Sequence, residues 1–199
     1  MGTPRGVLEF VEQLEDQIAD LVSGHSHVAL AYSGGLSSTL VAMVARKRCD
    51  LVCVVAGAEG SEDIRAATAA KAHLDYRVQF VHLGLEETLQ IRDRIEASNR
   101  RLSSTAIRAL VPPRAVLEET PDHVMLTGFG TQRIDEKIGR ILKPWGAECP
   151  LMALSRSRSL PRSILRAAAI SLGLPVEWAR VEHRAPATGA GIGEFLRNE

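Results

Sequence analysis

Apolar residues along this chain alternate between two rhythms. Leu8, Val11, Leu14, Ile18, Leu21 and Val22 recur at helical spacing, which predicts an amphipathic first helix with Gly24 as its stop. The unbroken run His27 to Tyr32 reads as a buried strand, and Ser33-Gly34-Gly35 breaks it. Helical spacing resumes from Leu36 to Arg48 through Leu40, Val41 and Val44. Asp50 to Ala56 predicts a second buried strand, Gly57 to Ser61 a turn, and Glu62 to His73 an Ala-rich helix. A third strand over Arg77 to Leu83 and a polar helix over Glu86 to Arg101 follow. Pro112-Pro113 predicts a break before a helix ending at Glu119. His123 to Thr127 reads as a fourth strand ended by Gly128-Phe129-Gly130. Pro144 to Pro150 reads as a loop, Pro161 to Leu172 as a helix stopped by Gly173 and Pro175, and Ala185 to Gly193 as a loop.

Strands that alternate with helices imply right-handed crossovers, hence an α/β fold with a doubly wound parallel sheet of about five strands and helices on both faces. With no repeat, low-complexity block or long linker, one domain over 1–199 is expected, with an N-terminal helix in 1–24 and a glycine-rich tail, 176–199, closing the site. Ligands of such sheets bind beyond the carboxyl ends of the strands. That brings three loops into one neighbourhood: Ser33 to Ser38, Gly57 to Asp63 and Gly128 to Gln132.

Composition narrows the function classes. Lys and Arg number 24 and so do Asp and Glu, giving no net charge, which disfavours a nucleic-acid-coating or polybasic membrane protein. No run approaches the ~18 apolar residues that span a bilayer, and Met1 to Phe10 lacks the layout of a secretory signal. Cys49, Cys53 and Cys149 are too few for a disulfide scaffold; they read as thiols in a reducing cytoplasm. The neutral total conceals clusters: six Arg lie between Arg92 and Arg114, and four between Arg156 and Arg166. The first cluster reads as a solvated helix face or as a lid near the ligand.

Ser33-Gly34-Gly35-Leu36-Ser37-Ser38, between a strand and a helix, meets the demands of an anion site. Glycine lets a backbone approach a ligand closely, the helix start offers amides and a favourable dipole, and three hydroxyls add donors. Polyphosphate or pyrophosphate suits such a loop. A plain serine-capped strand-to-helix turn is the other reading. Neither the Gly-Lys-Ser/Thr of a Walker A loop nor Gly-x-Gly-x-x-Gly is present.

At these residues the chain resembles the N-type (PP-loop) ATP pyrophosphatases, whose loop reads Ser-Gly-Gly-x-Asp-Ser, a superfamily with an adenine nucleotide alpha hydrolase-like fold. Other stretches resemble the synthetase domain of asparagine synthetase: Gly57 to Ile64 with Ala66 to Ala70, Leu126 to Gly130, Ser163 to Arg166 with Leu172 to Pro175, and Ala185 to Ile192. The resemblance runs from about residue 20 to about 195. It implies ATP- and Mg2+-dependent adenylation of a small, aspartate-like carboxylate. Amide formation with ammonia would follow, releasing AMP and pyrophosphate, with an oligomer left open. It also implies ligand contacts at Ala31, Ser33, Gly34, Gly35, Ser37, Ser38, Val55, Gly57 and Gly128.

Three motif positions depart from that family. Ser37 stands where its loop has Asp, and Thr131-Gln132-Arg133 stands where an acidic pair should follow Gly130. Asp135 and Glu136, one helical turn later, are the substitute candidates for catalysis and metal binding; a solvated helix face is their other reading. Arg184 aligns best with the family's phosphate-contacting lysine, with His183 beside it. Position 2 is Gly rather than a glutamine-hydrolysing Cys, so ammonia would come free or from a separate subunit. The departures leave open a ligase, a nucleotide binder without turnover serving regulation or assembly, and a tRNA-thiolating ATP pyrophosphatase. The last needs a reactive Cys, for which Cys149 is the loop candidate.

Overall fold

The computed structural model describes residues 5–99, 101–131, 133–155, 160–181 and 185–196. Its first half runs α1 (Arg5–Val22), β1 (His27–Ala31), α2 (Leu36–Ala45), β2 (Asp50–Gly57), α3 (Glu62–Leu74), β3 (Val78–His82) and α4 (Leu85–Ser98). Then come α5 (Ser104–Glu119), β4 (Val124–Thr127), α6 (Arg133–Leu142), β5 (Ala147–Glu148), α7 (Pro150–Ser155), α8 (Arg162–Ser171), α9 (Val176–Arg180) and α10 (Pro186–Gly189).

The five strands form one parallel sheet in the order β3-β2-β1-β4-β5. Strand alternation divides the core. Val28, Leu30 and Tyr32 with Leu51, Cys53 and Val55 pack under α1, α2, α3 and α8. Ala29 with Val52, Val54 and Ala56 packs under α4, α5, α6 and the C-terminal segment. Both faces are covered, as a parallel sheet requires.

The winding reverses once. The chain proceeds outward from β1 to β2 and β3, then returns to the other side of β1 for β4 and β5. The switch point therefore lies between β1 and β4, where the two following loops diverge and leave a crevice.

Four expectations change. Pro112-Pro113 does not break a helix: both prolines lie inside α5. They remove two amide donors, but Pro113 is buried with Leu110 and Val116, and α5 packs against β2, α4 and α10, so tertiary burial holds the helix together. The expected loop at 144–150 contains the edge strand β5, which is too short to show a period. The tail at 185–193 is not an open loop: it forms α10 and sinks Ala190 and Ile192 completely into the core. In α1 the buried stripe is Val7, Phe10, Val11, Leu14, Ile18 and Val22, and Leu8 is 48% exposed because it lies off that stripe. Among the described residues, no helix is long and apolar enough to cross a membrane.

Candidate functional site

The β1–α2 loop sits at the switch point. Gly34 has φ +73°, a left-handed conformation that glycine adopts without strain. A Cβ there would lie 2.5 Å from the Cβ of Ala66, so the loop presses against α3. Gly35 is the N-cap residue of α2 and no side chain caps the helix start. The first amides of α2 are thus left without a side-chain acceptor at the positive end of the helix dipole.

The serines differ in what they offer. The Ser38 hydroxyl is buried and donates to the Gly35 carbonyl at 3.0 Å, while the Gly35 amide donates to Ser33 Oγ at 3.3 Å. Ser33 and Ser38 Oγ atoms are 3.3 Å apart. These bonds hold the loop in shape, and half-buried Ser37 is left as the hydroxyl at its mouth. Below, Tyr32 OH and Thr39 Oγ1 lie 3.1 Å apart, tying the end of β1 to the first turn of α2. Burial drives the Tyr32 phenol far above its ordinary pKa, so it stays neutral.

Gly128, at the end of β4, touches this loop backbone to backbone: a Cβ on it would lie 2.7 Å from the Ser38 amide nitrogen. The β4–α6 loop then turns at Gly130, φ +121°, where a Cβ would strike the Met152 amide nitrogen at 2.2 Å. Asp135, 7% exposed, organises that loop, because its Oδ2 accepts from the amides of both Gly130 and Thr131 at 3.0 Å. Glu136 faces away and pairs with Arg140 at 2.7 Å on an exposed helix face. No group of three or more His, Cys, Asp or Glu among the described residues is placed to hold a metal ion. Among the described residues the donors at these two loops do not fit a protein-held magnesium ion, since hydroxyls and a carboxylate already engaged by amides are poor ligands for it.

The remaining candidates fall as follows. Ala31 ends β1 in register with Val54 and Thr127. Val55 is fully buried with its side chain in the core, leaving its backbone for any ligand. Gly57 ends β2 beneath the C-terminal segment, where a Cβ would lie 2.8 Å from the Ala190 carbonyl oxygen. Gln132, His183 and Arg184 lie outside the described residues.

Two buried groups lie near the site: Cys149, the thiol candidate named above, and Asp63, which the sequence did not single out. Cys149 Sγ lies 3.1 Å from Thr127 Oγ1, and burial pushes its thiol up to about 11, so it is not a ready nucleophile. Asp63, in the first turn of α3, is 6% exposed, and burial, then neighbouring Glu62, pushes its carboxyl up to about 7. Nothing in local spacing marks Asp63 as buried; Gly189, which covers it, lies on the far side of the sequence. Four arginines of the Arg-rich stretch are tied down: Arg94 and Arg114 both reach Glu118, Arg92 pairs with Asp93, and Arg108 donates to the Leu196 carbonyl. His27 pairs with Asp50 at the opposite end of the sheet, and Arg114 stacks over Trp145.

The asparagine synthase family model matches residues 9–184. The chain belongs to the asparagine synthase family. That family lies within the PP-loop ATP pyrophosphatase superfamily and comprises ATP-dependent amidation-type ligases, which use ATP and usually Mg2+. Among solved structures the chain is similar to an NMN synthetase from Francisella tularensis, with 14% identity, a TM-score of 0.57, and coverage of 91% of this chain and 76% of that one. It is also similar to an NH3-dependent NAD synthetase from Campylobacter jejuni subsp. jejuni NCTC 11168, solved in complex with the nitrate ion, with 16% identity, a TM-score of 0.56, and coverage of 87% and 76%. At these identities the likeness carries the fold. A search of curated proteins returned no match.

Proposed function

We propose that this asparagine synthase family member binds ATP at the β1–α2 loop and uses it to activate a small carboxylate for amide formation with ammonia. The observation that carries this reading is the uncapped start of α2 behind Gly34 and Gly35, at the switch point of a parallel sheet. A substrate carboxylate oxygen attacks the α-phosphorus, the bond to pyrophosphate breaks, and the acyl-adenylate then yields amide and AMP when ammonia attacks its carbonyl carbon. Fixed amides that hold the departing pyrophosphate lower that barrier. Their worth is greatest where charge grows, which is on the leaving group. Arg184 and a separate ammonia-supplying subunit belong to this proposal, as does an aspartate-like substrate. No step is assigned to magnesium, given the donors described.

A second reading, nucleotide binding without turnover, is favoured by one observation: Asp135 and Glu136 are engaged by loop amides and by Arg140. The buried, neutral Cys149 counts against tRNA thiolation. Exchange of labelled pyrophosphate into ATP, run across the amino acids and related acids, separates the readings. Exchange dependent on one acid supports the ligase. Calorimetric ATP binding without exchange supports the binder, and no heat at millimolar ATP overturns both.

A further inference from the structure

The two edges of the sheet are finished differently. At one edge β5 is only two residues long, Ala147–Glu148, and so short a strand offers little for another chain to pair with. At the other edge all five residues of β3, Val78–His82, pair in register with β2. This strand lacks the usual guards of an open edge: it has no proline, no lysine and no bulge. Gln79 and His82 are exposed, and Val78, Phe80 and Val81 are only half-buried, so β3 is not fully covered.

The ladder decides which main-chain groups are spare. The Cys53 amide donates to the Arg77 carbonyl at 2.8 Å, and the Leu83 amide donates to the Gly57 carbonyl at 2.9 Å. Arg77, Gln79, Val81 and Leu83 therefore turn their main-chain groups toward β2. Val78, Phe80 and His82 turn theirs outward, where they have no hydrogen-bond partner among the described residues. The spare groups recur at every second residue and are centred on Phe80. We propose that β3 pairs with itself: a second copy of this chain adds its own β3 antiparallel to the first, about a two-fold axis at Phe80. The inference does not rest on nucleotide binding.

A second copy is the occupant that matches, because it brings the same spacing and the same centre. The axis sets Phe80 opposite its counterpart and Val78 opposite His82, and each such pair exchanges two N–H···O bonds. Every spare group of the three residues is then used. A slip of one residue would set Phe80 against Val81, whose main-chain groups are already spent on β2. Side chains agree with this register. Val78 and Phe80 pack against the core on one face of the sheet and Val81 on the other, so the added strand covers apolar groups on both faces. Aromatic residues directly opposite one another are a stabilising cross-strand pair. Arg77 falls opposite Leu83, beside the start of the other copy's α4 with its exposed Glu86 and Glu87. Asp50 and Asp75 lie at the Arg77 end too, so main-chain pairing leads and charge follows.

Light scattering of the full chain, from micromolar to millimolar concentration, should show a concentration-dependent dimer. Amide exchange on the same unaltered protein, read residue by residue by NMR, should alternate along β3. The Gln79, Val81 and Leu83 amides, bonded to β2, should be protected at every concentration. The Val78, Phe80 and His82 amides should exchange readily in dilute protein and slow by about tenfold or more as the dimer forms.

His82→Pro removes one outward amide and no bond to β2, since a strand edge tolerates proline where its missing N–H faces outward. His82→Ala keeps that amide. Both should keep the far-ultraviolet circular dichroism of the unaltered protein, and only His82→Pro should be monomeric where the unaltered protein is dimeric. A chain that stays monomeric up to millimolar concentration overturns the proposal and leaves the edge to an extended peptide of another protein. So does a dimer whose Val78, Phe80 and His82 amides still exchange readily, or a His82→Pro dimer as tight as that of His82→Ala.

Discussion

The β1–α2 and β4–α6 turns lie side by side at the ends of neighbouring strands, yet they treat their backbone amides in opposite ways. The first is shaped by its own residues: Ser33, Gly35 and Ser38 bond to one another, and the start of α2 is left without a side-chain cap. The second is shaped by a residue from the next helix, since Asp135 takes up the amides of Gly130 and Thr131. One turn leaves the start of α2 without a side-chain acceptor; the other has satisfied its donors internally. An acidic residue in the expected segment is therefore not a metal ligand by position alone. What it touches decides its work.

That contrast can be broken most forcefully at Gly34. Gly34→Ala forces a side chain into a left-handed conformation and against Ala66. It should cost about 2–4 kcal/mol, seen as a lower Tm, and remove the heat of ATP binding. Near-normal stability and ATP binding in this variant would show that the loop is an ordinary turn.

Asp135→Ala comes next. It strands two amides of which one is buried, and should cost about 2–3 kcal/mol in chemical denaturation. Any magnesium dependence of ATP binding should survive it. Loss of that dependence with unchanged stability would instead make Asp135 a ligand and erase the difference between the turns.

Cys149 gives a smaller, chemical readout. With its thiol near 11, only about one molecule in a thousand carries thiolate at about pH 8, so iodoacetamide should label it in the unfolded chain and spare the native one. Rapid native labelling would reopen the thiol chemistry. The smallest effect belongs to Glu136→Ala: its ion pair with Arg140 is well exposed, so stability should change by less than about 0.5 kcal/mol and magnesium response not at all.

Local signals carried far because the strands of a covered parallel sheet are short apolar runs. His27–Ala31, Asp50–Gly57, Val78–His82 and Val124–Thr127 all fall where those runs predict them. The start of α3 at Glu62 also falls where the turn over Gly57 to Ser61 predicts it, and there Ser61 accepts from the Ile64 amide. Signals failed where a distant partner overrides local preference. Pro112 and Pro113 stay helical because α5 is wedged between the sheet and its neighbours, and β5 is a strand only because β4 lies beside it. The clustered arginines suggested a cationic surface, but Glu118, brought alongside from α5, neutralises two of them.

The amino-acid order by itself determined the α/β alternation, the strand ends and the Ser33–Ser38 loop, because each depends on residues within one or two turns of chain. Only the tertiary structure decided the rest. It set Gly128 against Ser38 and closed Gly189 over Asp63. Burial and hydrogen-bond partners depend on segments far apart in sequence, and those partners decide whether a carboxylate binds a metal, braces a loop or holds a proton.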